Sequence, residues 1–139
     1  MMSVYGALTG ATVVALRNRR ERVRTPRAME LALLALATQH LSRLISKDGV
    51  TAPLRAPFTE FEGPAGAGEV NERVVGTGLR HAVGELLSCP FCLAQWVATA
   101  LVAGEVGAPR LGAAAVTTLA VAQMSDYLQL GYAALRHRQ

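Results

Sequence analysis

Charge is gathered into blocks in this chain, and the blocks leave long apolar stretches between them. Residues 111–135 carry one charged side chain, Asp126, in 25 positions. A helix of that length rises far enough to cross a bilayer with some tilt. Residues 28–46 and 90–107 form two more apolar stretches, both helical by propensity. Hydrophobic residues reach 51% and charged residues only 17%, against roughly 25% charged in ordinary soluble domains. This pattern leads to an all-α fold: an integral membrane helical protein with three or four apolar helices and a polar loop insertion.

The chain divides as one membrane domain, 1–139. Residues 1–16 are a short apolar segment, brief for a span that needs about 20 residues. Residues 17–27 form an Arg-rich loop with six arginines against one acid, Glu21. The first segment has no basic residue before it, an order expected of an uncleaved segment and not of a cleaved leader. Thr25 and Pro26 read as the cap and first residue of the next helix, which covers 28–46. Residues 47–88 are the polar, turn-rich insertion, with six acids against four bases and no strand signal. Within it, Leu79, Val83, Leu86 and Leu87 share one side of a short amphipathic helix, and His81 and Glu85 form an i,i+4 pair. Helices over 90–107 and 111–135 complete the chain. In the last of these, Ala113, Thr117 and Ala120 are small residues at a spacing that permits close helix approach.

The net charge of +4 raises the question of nucleic acid. Aromatic residues at 5% leave no stacking platform for single strands. Arginines beside apolar segments follow the positive-inside rule instead. The expected partners are therefore the lipid bilayer and a second copy or a membrane protein, with no nucleic acid. The expected location is a bacterial cytoplasmic membrane, crossed more than once.

Two topologies compete. If 28–46 spans, the arginine loop is cytoplasmic and both cysteines lie outside with Arg136 and Arg138. If only the first segment spans before the insertion, the cysteines and the C-terminal arginines are cytoplasmic.

Polar residues inside the apolar stretches are the candidate site residues. Gln39, His40, Arg43 and Ser46 fall on one face of 28–46. Asp126 is the lone acid of the last helix, and an acid at membrane depth is a functional candidate. Arg43 and His40 are its plausible partners, in a structural ion pair or a proton path.

The stretch Gly84-Glu-Leu-Leu-Ser-Cys-Pro-Phe-Cys-Leu-Ala-Gln-Trp96 holds both cysteines and the only tryptophan. Proline is favoured at the first helical position. Cys89 then sits at the N-cap and Cys92 near the third position, close to unpaired N–H groups and the positive end of the dipole. Such a setting lowers a thiol pKa. The spacing suits a redox dithiol, half of a metal site, or buried structural thiols. As a dithiol, Cys89 is the attacking residue and Cys92 the resolving one. As a metal site for zinc or iron, the pair needs His81 or His40 as well, because zinc takes about four ligands. No cofactor motif is present, and no set of residues for hydrolysis or phosphate binding.

Four segments carry a family resemblance. They are Leu41-Ser-Arg-Leu-Ile-Ser-Lys-Asp48, Ala52-Pro-Leu-Arg-Ala-Pro-Phe58, the Cys89–Cys92 segment with Trp96, and Ser125-Asp-Tyr-Leu-Gln129. In that order they resemble the small bacterial membrane proteins grouped as domain of unknown function 1360. The resemblance covers roughly residues 28–135. It implies a location and a motif set, with no assigned reaction. The family often has a His-Lys pair where this chain has Gln39-His40.

Overall fold

A computed structural model of the chain describes residues 2–17, 27–66 and 68–137. Among the described residues there are six α-helices: α1 (Met2–Arg17), α2 (Ala28–Lys47), α3 (Ala52–Arg55), α4 (Gly78–Ser88), α5 (Pro90–Gly107) and α6 (Pro109–Arg136). A 3₁₀ turn, Gly49–Thr51, links α2 to α3. Two strands, β1 (Thr59–Gly66) and β2 (Glu69–Val74), pair antiparallel between α3 and α4.

Helices α2, α5 and α6 pack on one another as a three-helix bundle. Its core is small: Ala37 from α2, Leu93 and Val97 from α5, Val116 and Ala120 from α6. Outside it, large apolar side chains stand exposed on α6, among them Leu111, Val121, Leu128 and Leu135. Ala120 faces the core, whereas Ala113 and Thr117 are exposed, so the small-residue row is divided between two faces. Among the described residues one helix, α5, is long and apolar enough to cross a membrane.

The α5–α6 connection is a sharp reversal at Ala108. Gly112 makes it possible, because a Cβ there would come within 2.6 Å of the Glu105 backbone. The N-terminal helix α1 lies on α5. Tyr5 meets Trp96 edge to face at 5.1 Å, and its hydroxyl bonds Thr99 and accepts from Gln95. These two polar residues of α5 thus serve a helix–helix contact. Helix α2 begins at Ala28, with the Arg27 backbone N–H donating to Glu30. The cap expected at Thr25, and most of the arginine loop, lie outside the described residues.

The insertion departs from the expectation of an all-α chain with a loop. It folds as a cap over one end of the bundle, built on the β1–β2 hairpin. The hairpin escapes the usual alternation test for a reason seen in β2. Val70, Glu72 and Val74 are its inward positions, and the middle one is a carboxylate. Strand β1 contains Pro64 and two register shifts, which suit an edge strand and its bulges. Gly66 and Gly68 turn the chain with φ of +99° and +85°, values that favour glycine.

Arg55 holds the cap to the bundle. Its side chain is fully buried, and all five N–H donors are used. Nε and Nη2 reach the two oxygens of Glu72 at 2.6 and 3.2 Å. Nη1 donates to the Ile45 carbonyl and to Thr51 Oγ1, and Nη2 to the Asp48 carbonyl. The carbonyls sit at the end of α2, where backbone acceptors lack helical partners and a cation is favoured. Helix α4 seats on the same cap at Gly84, where a Cβ would meet Val74 Cγ1 at 2.6 Å and the Phe58 carbonyl at 3.0 Å.

Candidate functional site

Chemistry-bearing residues gather at the cap end of the bundle, in two places. The first is the start of α5. Cys89 is its N-cap, Pro90 opens the helix, and Cys89 Sγ accepts from the Cys92 N–H at 3.2 Å. Both thiols are free. Their sulfurs lie 2.6 Å apart, with Cys92 exposed and Cys89 partly so. The Cys92 thiol hydrogen-bonds the Cys89 sulfur and favours its thiolate. Backbone N–H groups of the first turn and the nearby Lys47 add to this, and together they outweigh the cost of burial. Cys89 is therefore more acidic than an ordinary cysteine.

Phe91, between the two cysteines, is almost fully exposed. His81 lies on α4, where Nε2 faces Glu85 at 3.4 Å. Among the described residues no three His, Cys, Asp or Glu side chains converge as a metal would require. The pairing of both cysteines with His81 or His40 is thus not assembled.

The second place is a cleft of about 620 Å³ between α2, α6 and the hairpin. It takes in His40, Arg43 and Asp126, the three polar residues singled out from the sequence, with Gln39, Asp48, Glu69, Gln123 and Tyr127. His40 Nδ1 stands 3.3 Å from Asp126 Oδ2. Arg43 turns away from Asp126 and pairs with Glu69 of β2. Tyr127 donates to Gln39 Oε1 at 2.6 Å. Leu44, Leu130 and Ala133 supply apolar wall.

The i,i+3 and i,i+4 spacing on α2 announced one side of this cleft. Glu69 was not legible as a partner, since nothing in sequence folds the hairpin back over α2. Arg55 and Glu72 were missed for the same reason, although Arg55 lies in one of the four family segments.

Comparison with known proteins agrees with those segments. The sporulation protein YjcA of Bacillus subtilis (strain 168) is 34% identical over 104 residues, covering 73% of this chain and 88% of that protein. No solved structure matches the chain. The family described as "Protein of unknown function (DUF1360)" matches residues 33–132, a span that holds most of the bundle, the cap, both cysteines and all of the cleft lining but Ala133. The chain belongs to that bacterial family.

Proposed function

We propose that this is a multi-pass protein of the bacterial plasma membrane that acts by assembling, with copies of itself or with a membrane protein partner, and not by catalysis. The observation that carries the reading is the inverted distribution of apolar residues. Among the described residues five apolar side chains are buried, while Leu111 at 74%, Leu128 at 71% and Val121 at 63% exposure stand outward on α6. Such surface is unfavourable in water by about 25 cal/mol per Å², and exposed apolar patches mark membrane or partner contacts. In a bilayer, helices associate through small residues, and Ala113 and Thr117 are available outside the core.

The bundle supports the first topology. Helix α2 runs toward the cap, α5 away from it and α6 back. With the arginine loop cytoplasmic, the cap, Cys89, Cys92 and Arg136 then lie on the outer side. Where the host cell forms spores, the relative's name extends this reading to sporulation.

The test is extraction and size. The protein should resist alkaline carbonate extraction, and in mild detergent it should run larger than one chain or carry a stoichiometric partner. A lone monomer, or release by carbonate, would count against the proposal.

A second reading rests on the 2.6 Å sulfur separation and the acidic Cys89. Cys89 thiolate attacks a partner's disulfide and forms a mixed disulfide, expelling one partner thiolate. Cys92 then attacks Cys89 Sγ, forming the Cys89–Cys92 disulfide and releasing the partner as a dithiol. The partner gains two electrons and this protein loses them. A pair that never oxidises between about −300 and −100 mV would remove this reading.

A further inference from the structure

The cleft between α2, α6 and the hairpin has features that membrane assembly does not require. Gln123 is 4% exposed and lines it, and its side chain has no hydrogen-bond partner among the described residues. Most of the side chain is packed away, and its amide atoms are left to the open space of the cleft. An unpartnered amide so placed is a group prepared for something that enters.

The charges around it define what enters. Asp48, Glu69 and Asp126 bring three carboxylates to the cleft, and Arg43 brings one guanidinium. Glu69 already engages Arg43. Among the described residues Asp126 pairs with His40, at 3.3 Å, and stays half exposed. An anion entering here would meet an excess of carboxylate, with the Arg43 guanidinium already paired. A metal ion would need at least a third His, Cys, Asp or Glu ligand, which does not converge here. An organic ammonium group asks for less. One carboxylate, one amide oxygen and an aromatic face suffice, and Asp126, Gln123 and Tyr127 line the same cleft. Leu44 and Leu130 would flank the carbon skeleton.

We propose that this cleft binds a primary ammonium group, with Asp126 as its counter-ion and the Gln123 amide as its second acceptor. Two sources share that chemistry: the ethanolamine headgroup of a lipid and a free alkylamine. The lipid source rests on the bilayer reading given above, whereas the free amine does not.

The experiment therefore has two arms on the full chain. In detergent solution, free hexylamine is titrated by calorimetry. In nanodiscs, retention of phosphatidylethanolamine over phosphatidylglycerol is read by native mass spectrometry. Saturable binding in either arm, weakened at least ten-fold by Asp126→Asn, is the expected result. Gln123→Met keeps the side-chain length without the amide and should weaken binding several-fold. It carries the test alone if Asp126→Asn does not fold, as judged by circular dichroism. Absence of binding in both arms overturns the proposal, and so does binding that neither substitution changes. A chain that proves not to be membrane-embedded still binds hexylamine if the cleft is read correctly, so the two failures are separable.

Discussion

Arg55 shows how much one side chain can organise. Removing it leaves Glu72 buried without its cation and two carbonyls of the α2 end unsatisfied. Breaking a buried pair in this way costs about 3–5 kcal/mol. Arg55→Ala should lower the unfolding free energy in detergent by about that much, and Arg55→Lys should recover only part, since an ammonium offers three donors to five acceptors. An equal stability for Arg55→Ala and the parent would refute the clamp.

Cys89 gives the second prediction at this scale. Its pKa is lowered, so its thiolate forms at lower pH than in a free cysteine. The rate of alkylation rises with pH through that pKa. The half-maximal rate should therefore fall below the pH found for an ordinary thiol. Cys92→Ala removes the main hydrogen bond and should move the midpoint upward. Mass spectrometry of iodoacetamide adducts against pH measures both. The sequence disclosed this residue well. An N-cap, a proline and a short spacing are local features, and local features survive translation from sequence to structure.

The elements differ in how openly the chain announces them. Helices α2, α5 and α6 follow from apolar composition and propensity, which need no knowledge of the rest of the fold. The hairpin depends on what lies beneath it. An inward Glu72 reads as a polar strand face until Arg55 is placed opposite, and that pairing joins residues 17 positions apart. The packing of α4 on the hairpin is equally hidden, because a glycine in a helix looks merely weak. Gly84→Ala should tell the difference. The added methyl has no room beside Val74 and the Phe58 carbonyl, and overpacking costs about 1–3 kcal/mol. Chemical denaturation should show a loss of that size. A gain in stability, as expected for alanine in an uncrowded helix, would mean that α4 does not seat there.

At the scale of the whole molecule, the fold turns one topological choice into several linked ones. The cap ties the end of α2 to the start of α5, and the hairpin faces the C-terminal half of α6 across the cleft. The cysteines, the cleft and the C-terminal end of α6 therefore share one side. A membrane-impermeant maleimide applied to intact cells should label Cys89 or Cys92, after reduction if they are oxidised. A tag following residue 139 should be accessible from that same side. Labelling only after the cells are broken would reverse the proposed orientation. Opposite accessibility of the cysteines and the tag would contradict the bundle itself.

The buried guanidinium also sets an order of events during synthesis. Ile45, Asp48 and Thr51 leave the ribosome before Arg55 does, so most of its acceptors are waiting when it emerges. The balancing charge arrives only with Glu72, after the hairpin has turned. Until then the nascent chain holds an arginine that cannot settle into its final place. Closure of the cap is thereby timed to the completion of β2, ahead of the emergence of α5 and α6.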